Sequence, residues 1–290
     1  MTFNVLLGGE DRLDAICDIV AAEQPDLLVL EECLGWEDGA RLAAVADALG
    51  IPADERHTVL GAANRRPSGR RFHVGLLSRA PIARSRVHAP TDVAHCLVEA
   101  EVDSDSAPFA VIGAHLHAND EESRLREVEA LLEIVPADAV QSGAWILCGD
   151  LNSLSRHDPY PDDLDDRLAR AGVHKYGHPP RFEVMDRLFQ AGWIDALRER
   201  PRCERWVTAR RARGDAGAVV DTRTDYVLLS PALAPRLVAA DVVEVNGASD
   251  HHAVVAELCP PDPERPARRP GNTGAAGAGL PGCHHDDHEP

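Results

Sequence analysis

The sequence predicts an α/β or α+β sandwich in which helices cover sheets. Three observations carry that reading: short apolar runs recur along the chain, segments of helical periodicity lie among them, and no internal repeat returns at fixed spacing. Leu13, Ile16, Cys17 and Val20 fall at helical spacing, and Pro25 ends that helix before the apolar run LLVL at Leu27 to Leu30, a buried strand. Leu42, Val45, Ala46 and Leu49 predict a second helix over Ala40 to Leu49. Strands at Gly75 to Leu77 and Phe109 to Gly113 precede a third helix over Glu121 to Val135, marked by Leu125, Val128, Leu132 and Val135. Further strands are predicted at Trp145 to Cys148, Tyr226 to Leu229 and Ala253 to Leu258. After Cys259 bulky apolar residues almost vanish, which predicts a folded domain over 1–259 and a disordered Pro/Gly/His-rich tail over 260–290.

A chain of 290 residues with 44% hydrophobic content can bury a full core. The opening MTFNVLLGGEDR lacks a basic region and reaches an acid at Glu10, and no stretch approaches the roughly 18 apolar residues of a membrane span. A soluble, cytoplasmic protein with no membrane contact and no obligate protein partner is expected. The chain begins almost at Asn4, so the first strand is expected to be short or frayed. Seven scattered cysteines without a C-x-x-C pair predict reduced thiols, with neither a disulfide framework nor a structural zinc site.

The formal net charge of -18 repels polyanions at long range. The tail contributes five acids against three arginines, so the acidity belongs to the body. Two stretches, NRRPSGRR (Asn64 to Arg71) and RERPRCERWVTARRAR (Arg198 to Arg213), concentrate arginine. They either share one rim as a local anion site or lie apart as solvated loops.

Polar residues recur where apolar runs end. Glu31 and Glu32 close PDLLVLEE, His115 and His117 follow VIGA, and Asp150 and Asn152 follow WILC. Asp225 opens TDYVLLS, and Asp250 and His251 precede AVV in SDHHAVV. Singly, each reads as a turn residue or a satisfied surface group. As an ordered set they place carboxylates, an amide and imidazoles at the ends of rigid elements, where side chains converge.

The blocks FNV, PDLLVLEE, GLLSRAPI, AHL, GDLNS, TDYVLLS and SDHHAVV resemble, in order and spacing, the signature blocks of the endonuclease/exonuclease/phosphatase superfamily, from Asn4 to about Leu258. The resemblance implies a four-layer sandwich, two facing mixed β-sheets flanked by helices. It also implies a Mg²⁺-dependent phosphoesterase, with Mn²⁺ able to substitute. Glu32 resembles the main metal ligand, Asn4 its support, and Asp250 a second acid at or near the metal. His251 resembles the imidazole that contacts the scissile phosphate or exchanges a proton, and Asp225 the carboxylate that orients it. Asp150 would align and deprotonate the attacking water, Asn152 would donate to the phosphate, and His115 would stabilise charge on phosphoryl oxygens. No serine or cysteine nucleophile is required, so direct water attack is expected.

Departures narrow the substrate. Leu6 and His115 stand where the abasic-site branch carries an acid and lacks a histidine, so that branch is disfavoured. The acidic body and the few aromatics weaken a nucleic-acid groove, and a membrane-docking hairpin of the sphingomyelinase kind is not apparent. A long segment from Ser155 to Phe182 follows Asn152 as a specificity lid or a packing insertion. Arg70, Arg71 and Tyr176 are the candidate substrate contacts, and His117 a further one; His252 should point away from His251. Three readings follow: hydrolysis of a small phosphoester or phosphodiester, a nuclease on DNA or RNA (deadenylase-like exonucleases included), or a silent binding protein. The tail end CHHDDHEP reads as incidental metal affinity on a disordered polar end.

Overall fold

The computed structural model describes residues 1–104, 107–211 and 218–260; the predicted tail beyond Pro260 lies outside the described residues. In chain order the elements are β1 (Thr2–Asn4), α1 (Leu13–Glu23), β2 (Leu27–Glu31), α2 (Ala40–Leu49), β3 (Thr58–Gly61), β4 (Val74–Ser78), β5 (Ile82–His88), β6 (Leu97–Val102), β7 (Phe109–His115), α3 (Glu121–Ile134), α4 (Ala137–Ser142), β8 (Trp145–Asp150), α5 (Leu164–Arg170) and α6 (Glu183–Gln190). There follow β9 (Ile194–Asp195), α7 (Ala196–Glu199), β10 (Ala209–Arg211), β11 (Val220–Thr222), β12 (Asp225–Leu229), β13 (Leu237–Val243) and β14 (Ala253–Leu258). One six-stranded sheet runs β13-β14-β1-β2-β4-β3, the other β5-β6-β7-β8-β12-β9, and β10-β11 form a separate ribbon. Both large sheets are mixed: β1 and β2 are parallel, as are β7 and β8, while β12 runs antiparallel to β8.

The period-2 alternation of strand side chains sorts the core into layers. Leu28 and Leu30 of β2 join Phe3, Ile16, Val20, Val45 and Leu49 in a cluster beneath α1 and α2. Val29 turns the other way and packs with Val74, Leu76, Val98, Val111, Ile146 and Val227 between the sheets. On the second sheet Ile112, Leu147, Tyr226 and Leu228 face Val128, Leu131, Val184 and Leu188 of α3 and α6. Helix, sheet, sheet, helix is the order that results, as the sequence predicts.

Every predicted helix and strand is present, most with ends shifted by one to three residues. Strands without an apolar run were not expected: β5 is exposed along most of its length, and β6 alternates apolar residues with Glu99 and Glu101. The Ser155 to Phe182 segment contains α5, whose Leu164 and Leu168 pack with Leu154, Val173, Tyr176 and Val220 in a fourth cluster. Buried Arg223 ties this segment to the sheet, meeting Asp158 at 2.8 Å, both oxygens of Asp195, and the Tyr226 ring at 4.4 Å. The six described cysteines are free thiols, and among the described residues no helix is long and apolar enough to cross a membrane.

Two glycines let these layers meet. A Cβ at Gly113 would lie 2.9 Å from Val29 of the facing sheet. Gly149, at φ 149°, pairs with Ala114 across β7 and β8, and a Cβ there would fall 1.7 Å from the Ala114 carbonyl oxygen. Gly149→Ala is therefore expected to lower stability by about 2 kcal/mol or more, read by urea denaturation; a midpoint equal to wild type would contradict the close approach.

Candidate active site

At one end of the sandwich the apolar inner faces turn polar. Three strands set a row by register: His115 at the end of β7 lies beside Asp150 at the end of β8, which lies opposite Asp225 at the start of β12. Directly opposed residues share a sheet face, and these three continue the inner face that carries Val111, Cys148 and Val227. On the other sheet Asn4 is in register with Glu31. All five side chains are buried.

Hydrogen bonds across the two sheets fix the row. Asn4 Nδ2 donates to Asp150 Oδ2 at 3.1 Å, while its Oδ1 accepts the Leu6 N–H. Asp150 Oδ1 accepts the Asn152 N–H at 2.9 Å. His251 Nδ1 lies 2.9 and 3.1 Å from the two oxygens of Asp225. An ionised carboxylate only accepts, so the Nδ1 proton points at Asp225 and Nε2 turns toward Asp150. Asp225 is braced in turn: Thr224 Oγ1 donates to Oδ2, and its N–H donates to Thr208 Oγ1. Ser249 Oγ accepts the His251 N–H and donates to the Asn4 carbonyl, joining SDHH to β1.

Asp150 Oδ2 is 3.7 Å from His251 Nε2 and 3.8 Å from His115 Nε2. Both spacings exceed a hydrogen bond. Burial pushes the His115 imidazole below its ordinary range against the opposing pull of Asp150 and Glu32, which keeps that ring neutral near pH 7. Glu32 follows β2 with φ 59°, and Asn152 follows β8 with φ 52°. Left-handed backbone at non-glycine positions is strained and concentrates at functional sites. Glu32 Oε2 accepts the Leu7 N–H at 2.9 Å, which leaves Oε1 to another partner.

The expected residues thus divide. Asn4, His115, Asp150, Asn152, Asp225 and His251 come together, Glu32 acts on His115 through its charge, and Asp250 Oδ1 stands 4.0 Å from His251 Nε2. Tyr176, expected as a substrate contact, has its ring fully buried in the α5 cluster. Instead it supports Lys175, whose ammonium sits 5.0 Å from the ring and donates to Asn152 Oδ1 at 2.6 Å. Asn152 Nδ2 donates to the Leu116 carbonyl, so the segment after Asn152 contributes a cation that orients the amide. Arg70 is exposed in a turn, and Arg71 is half-buried with its Nε unpartnered. Among the described residues of the second arginine stretch, Arg202, Arg205 and Arg210 pair with Glu257, Glu244 and Asp221.

His95 was not anticipated. It lies just before β6, and its ring stacks on His115 with centroids 4.2 Å apart and planes 11° from parallel. Glu127 of α3 is the other unforeseen support: its oxygens accept the N–H groups of Ala94 and His117 at 2.6 Å each. Thr208 was likewise seen only as part of an arginine stretch.

Together the sandwich and a carboxylate-braced histidine beside a second histidine and an aspartate define a phosphoesterase class of site. Residues 1–251 match the endonuclease/exonuclease/phosphatase family, and the chain belongs to that family, whose members hydrolyse phosphoester bonds. The 3'-5' exonuclease NExo from Neisseria meningitidis superposes with a TM-score of 0.64 at 24% identity, covering 89% of this chain and 98% of that one. An AP endonuclease from Archaeoglobus fulgidus gives 0.61 at 20%, covering 89% and 97%. A family protein from Leptotrichia buccalis gives 0.63 at 13%, covering 89% and 97%. These likenesses describe the fold. No curated protein sequence matches the chain.

Burial raises the Glu127 carboxyl to about 7, against the two backbone hydrogen bonds. A folded-state value above the unfolded one means that stability falls as pH rises through about 4.5 to 7. Glu127→Gln is expected to gain in melting temperature relative to wild type across that window; a constant difference between pH 4.5 and 8 would contradict it.

Proposed function

We propose that the protein is a Mg²⁺-dependent phosphoesterase that hydrolyses a phosphodiester by direct attack of water, with Mn²⁺ able to substitute. The observation that carries this reading is Asp150 Oδ2 standing between the Nε2 atoms of His251 and His115, with Asp225 bonded to the far side of His251. The donor set suits a hard divalent cation: ligand atoms of Asp150, Asp225 and His251 lie within 4.8 Å of one another, and Glu32 keeps Oε1 outside its bond to Leu7. Asp225 accepts from His251 and Thr224 and Asp150 serves as the base, so Glu32 and Asp250 are the carboxylates to hold the ion, with Asn4 fixing Asp150. A divalent cation there would neutralise nonbridging oxygens and ease departure of the alkoxide.

The chain's own residues do the rest. Asp150 takes a proton from water as the water oxygen bonds to phosphorus, and the ester P–O bond breaks with its electron pair on the leaving oxygen. His251, its Nδ1 proton held by Asp225, accepts at Nε2 the proton that Asp150 took and passes it to the leaving oxygen, which restores both bases. His115, Asn152 and Lys175 bring donors to the phosphoryl oxygens. A nuclease is the second reading. It is favoured by Arg66 of the first arginine stretch, whose positive charge helps hold the His95 and His117 imidazoles below their ordinary range after burial.

Hydrolysis of bis(p-nitrophenyl) phosphate is expected with Mg²⁺ or Mn²⁺ and to vanish in EDTA. Asp150→Ala and His251→Ala are expected to lower kcat by about 100-fold or more while circular dichroism stays native. Metal-independent turnover, or wild-type turnover by Asp150→Ala, would overturn the reading.

A further inference from the structure

A cavity of about 870 Å³ opens between the two sheets at the end of the sandwich opposite His115 and Asp150. Strand direction places it there. Leu27 opens β2, whose other end carries Glu31; Ile146 stands near the start of β8, which Asp150 ends; Leu229 ends β12, which Asp225 opens. At roughly 3.3 Å of rise per residue, the strand from Ile146 to Asp150 spans roughly 13 Å. The cavity and the catalytic row are therefore separate places on the same strands.

The walls are apolar. Leu27, Phe109, Ile146, Val227, Leu229 and Leu258 line the cavity, and all pack in the cluster that fills the space between the sheets. The volume falls within the roughly 300–1,000 Å³ of sites that take small organic molecules.

The rim, by contrast, is charged, and its charges do not cancel. Arg79 meets Asp26 at 3.8 Å and Arg202 meets Glu257 at 2.6 Å, which accounts for four of the bordering groups as two ion pairs. Glu23, Asp103 and Asp241 then stand against Arg236, and among the described residues no cation lies within ion-pair distance of these three acids. Arg236 Nε already donates to the Cys259 carbonyl at 2.8 Å. Asp241 Oδ1 accepts the Val242 N–H at 2.8 Å and the Cys203 thiol at 3.0 Å, so this carboxylate is held in place. The Met1 amine also borders the cavity, but it donates to the Leu27 carbonyl, and burial pushes it below its ordinary range, against its charge. A cation with an apolar body matches such a place: burying the body removes apolar surface from water, and the positive group meets the surplus acids at the mouth. An anion of the same shape would meet both that surplus and the chain's net charge of -18.

We propose that this cavity is a second binding site, which takes an organic amine, its ammonium group at the acidic rim and its apolar body between the sheets. The site goes beyond phosphoester hydrolysis and does not depend on it.

Three ligands with one alkyl chain and different charge test the site: octylamine, octanoate and 1-octanol, each titrated into the full chain at pH 7 by calorimetry. Wild type is expected to bind one octylamine per chain, about 10-fold or more tightly than either of the others. Glu23→Gln, Asp103→Asn and Asp241→Asn combined are expected to bring that preference toward unity. Ala256→Phe, which places a ring in the wall contributed by β14, is expected to abolish binding, with Ala256→Leu as the second replacement should the first not fold. Equal affinity for octylamine and 1-octanol, tighter binding of octanoate, or a preference that survives the combined variant would each overturn the proposal. So would octylamine binding that the Ala256 variants leave intact, because the amine then lies elsewhere on the acidic surface.

Discussion

The site depends on strand register across β7, β8 and β12. Because His115, Asp150 and Asp225 are direct cross-strand neighbours, their side chains must emerge on one face at one level. A slip of one residue in any pair would turn a member of the row toward α3 and α6. The hydrogen bond from His251 to Asp225 then ties the first sheet to this row, since His251 leads into β14. Asn4 closes the circuit from β1 to Asp150. Two contacts across the sandwich thus convert sheet packing into a fixed arrangement of carboxylates, amide and imidazoles.

The same constraint explains the unusual backbone around it. Glu32 and Asn152 leave their strands in left-handed conformation, and each is held by neighbouring groups: Leu7 on the Glu32 carboxylate, Lys175 and Leu116 on the Asn152 amide. Gly149 permits β8 to approach β7 one residue before Asp150. Strain at these points is offset by the cores on either side of the sheets, which hold the strand ends in place. The segment after Asn152 belongs to the same logic, because Arg223 and the α5 cluster anchor it while Lys175 reaches back to the amide.

Much of this was legible in the sequence because the principal residues end or begin apolar runs. WILCGD and TDYVLL announce buried strands, and their terminal acids follow from the alternation. The ordered blocks gave the family. His95 escaped because β6 alternates Leu97, Val98 and Ala100 with acids and offers no apolar run to frame it. Tyr176 misled for the opposite reason: an aromatic in a polar segment looks exposed, yet α5 and Val220 supply the apolar surface that buries it. Arginine density in 198–213 could not show that Arg202, Arg205 and Arg210 already face acids, since their partners lie far along the chain.

The bond between Asp225 and His251 is the claim on which the rest stands, and a double-mutant cycle measures it most directly. Phosphodiester turnover by Asp225→Asn is compared in the wild-type background and in a His251→Ala background. If Asp225 acts through His251, the substitution costs about 10-fold or more in kcat/KM in the first and almost nothing in the second. Equal losses in both backgrounds would contradict the account.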